Sequence, residues 1–347
     1  MHPSHKLTRI FLALASLIAL AALSFGQVPI LVPFGAPVNA IEVSDQKPGS
    51  MLVFPYYTSS TGQIKTDTRL TLTNLVGTIA PIPAPANPAL ANGSINVHIF
   101  FIEGSSCNQA DLFVCLTKGA SVSFKASDYD PDRTGYVIAV AVDPTGRPTH
   151  WNGLVGNAFV NAGDLVGNYG AESFAANGNF FGAQLGLNPD GTVTLPLNGL
   201  GFDRAADQFA VEIQSPNDAT GQTIVQVSLS GNISTSAMNS VAQNGTGLVW
   251  RGDEKLASYV KFIGGGCQSI NVISATNPRV PTGLGTTATQ VGFLPKGSNG
   301  TLVYNTSAPS VGLIMTPKSN AWSGIRTLHK TRTADSNLII PVFMPAC

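Results

Sequence analysis

Three aspartates alternate in SDYDPDRTGYVIAVAVD (127–143): Asp128, Asp130 and Asp132. Carboxylates at every second position could hold calcium. An EF-hand loop takes oxygen ligands from positions 1, 3, 5, 7 and 12, with Gly at 6. Counted from Asp128, position 6 is Arg133 and position 12 is Ala139, so that pattern fails at two defining places. A looser site between strands could still use the three carboxylates with Asp143 or backbone carbonyls. The competing reading is a type I turn, Asp130-Pro131-Asp132-Arg133, with Pro at i+1. Gly135 would then supply a positive φ before an apolar strand. Turn preference outweighs ligand count, so calcium at Asp128, Asp130 and Asp132 is a secondary expectation and no other cofactor is expected.

Cys107, Cys115, Cys267 and Cys347 are the only cysteines. An even count in an oxidising compartment favours disulfides. Cys107 and Cys115 bracket the short stretch CNQADLFVC. That pairing is expected, which leaves Cys267 with Cys347. Zinc would require His close to these cysteines, and His98, His150 and His329 lie elsewhere.

Catalytic patterns are sparse. HExxH, GxSxG, a Walker A loop and a strand-borne GxGxxG are all missing. Ser258 and Lys261 match SxxK, but LASYVKFI reads as a strand, where positions three apart face opposite sides. His98 in INVHIFFIE is expected to face solvent or to be hydrogen-bonded. His150 and Trp151 read as a surface or boundary pair. Glu103, Glu172, Glu212 and Asp253 offer carboxylates for glycoside chemistry, yet spacing singles out no pair. Trp151, Trp250 and Trp322 are too scattered to outline a sugar platform. Arg251-Gly252-Asp253 spells RGD, read as a chance occurrence. Lys318, Arg326, Lys330 and Arg332 read as a solvated edge.

The elements that must carry these residues are short strands. Charged residues make up 11% of the 347, under half the usual share of roughly 25%. Lys plus Arg and Asp plus Glu each number 19, so no global field attracts nucleic acid or an anionic membrane. Period-two alternation marks RLTLT (69–73), INVHIFFIE and ASVSFKA. Tyr136–Val142 is apolar throughout, as in a strand covered on both faces. Further runs are FAVEI (209–213), 224–229, 256–263, SINVIS, QVGFL (290–294), TLVY (301–304), VGLIM (311–315) and LIIPVF (338–343). Residues 151–200 are rich in Gly and Asn and read as an irregular bridge, with helical turns expected in GAESFAAN (170–177). NPDGT (188–192) signals a turn.

The N-terminus has Lys6 and Arg9 before an apolar run from Ile10 to Leu23, then Ser24-Phe25-Gly26. This is the layout of a secretory signal peptide. Cleavage is expected after Gly26, with a later cut after Ala40 as the alternative. No membrane span is expected after cleavage. A cut after Gly26 leaves the apolar, Pro-rich arm QVPILVPFGAPVNAI (27–41), which could add a strand to a neighbour's sheet edge.

The segments DTRLTLTN, NVHIFFIEGSSC, SDYDPDRTGYVIAVAVD, FIGGGCQ and LHKTRTADSNLIIPVF resemble a group of secreted, Acidobacteria-like bacterial proteins with no established activity. The resemblance covers most of the exported chain. It implies export and an all-β body, and supplies no catalytic residues.

The expected architecture is all-β, with two β-sandwich domains, Ig-like or jelly-roll-like. Residues 1–26 form the signal peptide, 27–46 an arm, 47–150 the first sandwich, 151–200 the bridge with short helices, and 201–347 the second sandwich. The expected role is a secreted or cell-surface (extracytoplasmic) structural or interaction protein without catalysis. The alternative is a secreted carbohydrate-binding or carbohydrate-active protein. Expected partners are other surface proteins, glycans or a second copy through residues 27–41, and not nucleic acid.

Overall fold

A computed structural model of the chain describes residues 47–347 except 63–65, 76–92, 178–184, 216–217, 219–220, 242, 261–265, 274–293, 319–322 and 346–347, with the side chains of 243–246 and 257–260 also left aside. The expected signal peptide and arm, the strand at 290–293, Lys261, Trp322 and Cys347 lie outside the described residues. All described residues belong to one compact unit, Ala40–Cys347.

The fold is all-β. In chain order the first strands are β1 (Met51–Thr58), β2 (Asp67–Asn74), β3 (Ile95–Glu103), β4 (Gln109–Leu116), β5 (Ser121–Lys125), β6 (Thr134–Val142), β7 (Leu154–Ala162), β8 (Leu165–Gly170), β9 (Glu172–Phe174) and β10 (Thr192–Leu197). They are followed by β11 (Ala206–Gln214), β12 (Thr223–Ser228), β13 (Gly231–Asn232), β14 (Ala237–Met238), β15 (Gln243–Arg251), β16 (Leu256–Val260), β17 (Gln268–Val272), β18 (Asn299–Thr316), β19 (Gly324–Thr327), β20 (His329–Thr331) and β21 (Ser336–Pro341).

A central sheet of order β4-β3-β6-β1-β9 is covered on both faces. Leu52, Phe54, Ile99 and Phe101 face one way, onto Leu70, Leu72, Leu154 and Ala158 of the sheet β5-β2-β7-β8. Met51, Val53, Phe100 and Ile138 face the other way, onto Val193, Leu195, Leu338 and Ile340 of the sheet β10-β21-β13-β14. Each such side chain, fully buried, stabilises by about 1.5–3 kcal/mol. This double cover explains why β1 and β6 are apolar with almost no alternation. The largest sheet runs β16-β15-β18-β11-β20, with β12 and β19 along the far half of the long strand β18 and β17 outside β12. It holds a third core around Phe209, Leu302 and Tyr304.

The first two cores draw residues from both expected sandwiches. Strands β10 and β21 close the second core over residues of β1, β3 and β6, and Val225, Leu313 and Met315 join the first. The expected bridge is corrected. Residues 151–200 carry β7 to β10, and Glu172–Phe174 of GAESFAAN is the edge strand β9, not a helical turn. In β7 the inward positions are Leu154, Gly156, Ala158 and Val160. A Cβ at Gly156 would lie 2.6 Å from the Phe54 ring. Glycine at a core position therefore hides the strand's alternation. NPDGT is a turn as expected: Gly191 has φ +77° and its N–H donates to the Asn188 carbonyl at 3.0 Å.

Candidate interaction edge and the groups around it

The acid-rich turn is built by separate bonds from each aspartate. A short 3-10 turn, Ala126–Asp128, precedes it, and Asp128 Oδ2 accepts from the Lys125 N–H at 3.3 Å. Asp130 accepts the Tyr57 hydroxyl, and burial raises its carboxyl above the usual range. Asp132 Oδ1 accepts from the Thr61 N–H at 2.7 Å, and both its oxygens take the Thr61 hydroxyl. Those bonds hold its carboxyl below the usual range. Asp143 caps its own turn, accepting from Thr145 N–H at 2.8 Å. It lies at the far end of β6, about 30 Å away at ~3.3 Å per residue. The structure does not bring these carboxylates together, and among the described residues no three His, Cys, Asp or Glu side chains form a metal-sized group.

The turn type differs from expectation. Asp132 itself has φ +59°, the sign of a type II turn at i+2. The Arg133 N–H donates to Ser59 Oγ at 3.2 Å. Gly135 is required for another reason: a Cβ there would run into the Ile102 carbonyl oxygen of β3.

Cys107 is bonded to Cys267, with Cα atoms 5.8 Å apart and 160 residues between them in sequence. The expected Cys107–Cys115 pair is corrected. NQADLFVC is not a loop but the strand β4, in register with β3 from Ile102↔Gln109 to Asn96↔Cys115. Cys107 sits in the turn, and Cys115 lies six residues along the strand, about 20 Å away at ~3.3 Å per residue. Cys115 is itself disulfide-bonded. Cys347, its remaining possible partner in this chain, lies outside the described residues.

The strand β4 is the edge of the central sheet and pairs only with β3 among the described residues. Its ladder is closed at the turn by Glu103 N–H donating to the Asn108 carbonyl at 2.8 Å. Bonded and non-bonded pairs alternate in an antiparallel ladder. From this register, Ala110, Leu112 and Val114 bond inward to β3. The N–H and C=O of Gln109, Asp111 and Phe113 point outward, away from it. Leu112, Phe113 and Val114 are each half-buried, so the edge shows apolar side chains on both faces.

His98 of β3, directly opposite Phe113, is buried and hydrogen-bonded, the second of the two settings expected for it. Its Nε2 is 2.9 Å from Asp111 Oδ2, and its ring stacks on Phe113 at 4.1 Å between centroids. Phe343 approaches the ring edge-on at 5.8 Å and is itself half exposed. Burial lowers the His98 pKa, with Asp111 opposing.

Two residues of the expected solvated edge are buried. Lys330 Nζ lies 2.8 Å from Glu172 Oε2, and Arg332 Nη2 lies 3.0 Å from Glu172 Oε1. Asp203 adds a second carboxylate, 3.6 Å from Arg332 Nη1 and 2.9 Å from Lys47. The Arg332 guanidinium covers the Phe174 ring at 4.6 Å, a cation–π contact. Sequence reading missed this cluster; an acid in GAESF facing two cations in LHKTRT was the one available signal. Lys318 and Arg326 are exposed or half exposed, as expected.

The other candidates are also engaged internally. Glu103 pairs with Arg133 at 2.8 Å, and Glu212 with Arg326 at 3.5 Å. Arg251-Gly252-Asp253 forms the tip of the β15–β16 hairpin, where Arg251 and Asp253 pair at 2.9 Å. Trp151 is core, and its Nε1–H donates to Asn74 Oδ1 at 3.0 Å. His150, beside it, is half-buried and hydrogen-bonded to Asn152. Ser258 lies on strand β16. Among the described residues no helix is long and apolar enough to cross a membrane. Comparison with protein-family models, with curated proteins and with solved structures gave no match.

Proposed function

We propose that the protein is an exported structural or interaction protein without catalytic activity, and that it assembles through its N-terminal arm. The observation that carries this reading is the β4 edge. An eight-residue strand of the central sheet has outward-pointing backbone groups at Gln109, Asp111 and Phe113 and half-buried apolar side chains on both faces. Proteins normally blunt such edges with charge, Pro or a covering segment; this one carries a single charge, Asp111. The signal-like N-terminus supports export, and disulfide-bonded cysteines fit an oxidising compartment. The test is the solution mass of the exported form with and without residues 27–41, preceded by mass spectrometry of the mature N-terminus. A smaller species on trimming supports the reading; identical masses oppose it.

A second reading, carbohydrate binding, rests on a different face. Trp250 and Glu212 both pair with Thr301, so they share the solvent side of the largest sheet. A groove of about 440 Å³ next to Glu212 is lined by Glu212, Gln214, Gln222, Asn299, Thr316 and Arg326. Amide, hydroxyl and charged groups in a groove, with an exposed indole on the same face of the sheet, suit a glycan longer than one sugar. A glycan screen, with and without calcium, tests it; retention of glycans by the protein and their loss in Trp250→Ala would favour this reading over the first.

A further inference from the structure

Resting on the arm reading above, we infer that the β4 edge is the acceptor, and that residues 28–38 of a second copy dock there as a strand paired through their even-numbered residues alone. The arm reads V28-P29-I30-L31-V32-P33-F34-G35-A36-P37-V38. Pro29, Pro33 and Pro37 share one parity. In a strand, residues of one parity point their N–H and C=O to one side, and the next residues point to the other. All three prolines therefore fall on the same backbone edge, where the missing N–H costs nothing if that edge faces solvent. The other edge, carried by Val28, Ile30, Val32, Phe34, Ala36 and Val38, keeps every N–H. Such a segment can extend a sheet by one strand and then stops further addition, because its outer edge lacks donors.

The acceptor matches this donor in three respects. Outward groups on β4 recur at Gln109, Asp111 and Phe113, the alternate spacing that the even arm residues require. In an antiparallel pairing, residues of the arm bonded to them share their face, so the apolar even side chains would lie beside Phe113 and the half-exposed Phe343. The odd residues, Leu31 among them, would extend the opposite face next to Leu112 and Val114, which already pack on the first core. Occupancy by a second copy follows from where the chain enters the fold. Lys47, the first described residue, pairs with Asp203, whose backbone N–H bonds to Ala175 just past β9. The strand β9 is the opposite edge of the central sheet, four strand spacings from β4, about 19 Å at ~4.8 Å each. A chain's own arm would spend most of residues 39–46, about 26–29 Å at full extension, on that crossing, whereas a neighbour's arm has no such constraint.

The test is a proline-parity experiment on the oxidised protein beginning at Gln27, read by sedimentation velocity across a concentration series. Leu31→Pro should associate as the unsubstituted protein does. Ile30→Pro and Val32→Pro should each weaken association at least about tenfold, since each removes a ladder donor and leaves its acceptor unpaired. Asp111→Pro, which removes an outward N–H of β4 without breaking its ladder to β3, should weaken it similarly while circular dichroism stays native-like. The arm substitutions keep the test decisive if that variant fails to fold. If trimming 27–41 gives monomers but even and odd prolines act alike, or a folded Asp111→Pro still assembles, the β4 assignment falls and the arm reading survives. If the protein beginning at Gln27 is monomeric throughout, or its mature form begins at Ile41, both fall. A monomer whose thermal stability shows the parity effect would overturn the second-copy assignment.

Discussion

Glu172 and Lys330, 158 positions apart in the chain, meet in the interior with Nζ 2.8 Å from Oε2 and both side chains almost fully enclosed. Arg332 completes the pair on the other carboxylate oxygen. The cluster ties β9, at the edge of the central sheet, to β20, at the edge of the largest sheet. Removing one partner strands the remaining buried charge, which costs about 3–5 kcal/mol. Glu172→Gln should therefore lower unfolding free energy by roughly that amount in urea titrations. Replacing Glu172, Lys330 and Arg332 together by Leu, Met and Met should recover much of the loss. A single substitution costing under about 1 kcal/mol would show the pair to be solvated.

Peptide mapping of the unreduced protein should recover a Cys107–Cys267 link and no Cys107–Cys115 link. With all four cysteines oxidised, Cys115 and Cys347 form the second link by elimination. Chain-entropy arguments give about 5 kcal/mol for closing a loop of this size, with measured losses commonly 2–5 kcal/mol. Replacing Cys107 and Cys267 together by Ser should fall in that range.

Calcium at millimolar concentration should leave the melting temperature of the protein unchanged, because Asp128, Asp130 and Asp132 are each bonded to a different group. A rise that Asp132→Asn abolishes would contradict this account of the turn.

His98 predicts a pH effect on stability. Burial holds its folded pKa below the unfolded value near 6.5. Above about pH 7 both states are neutral at this site. As pH falls below the unfolded value, the unfolded chain binds the proton first, and stability declines until the folded pKa is passed. His150, lowered by burial too, adds in the same direction. Among the described residues Asp111, Phe100, Phe113 and Phe343 face His98, and the Asp111 carboxylate opposes the effect of burial. His98→Phe should reduce the drop in melting temperature between pH 7.5 and 5.5. An unchanged drop would exclude His98 as its source.

Much of the fold was legible where alternation is clean or an apolar run is unbroken. The runs RLTLT, INVHIFFIE, YVIAVAV and FAVEI all lie within strands. What was hidden has specific physical causes. Gly156 sits at an inward position because the Phe54 ring fills the space, so β7 did not alternate. The two cysteines that bracket β4 suggest a disulfide loop and so mask a strand. Glu172 in an Ala-rich segment suggested helix, while its burial depends on cations more than 150 positions away, a relation local pattern cannot show. Of the candidate site residues, the acid turn is legible in the sequence, but only the fold shows that each of its three carboxylates is bonded to a different group.

The central proposal is that the apolar arm 27–41 assembles the protein. The most direct measurement compares the sedimentation of a chain beginning at Gln27 with that of a chain beginning at Glu42, at equal concentrations. The account predicts a concentration-dependent oligomer for the first and a monomer for the second. Identical sedimentation of the two would contradict it.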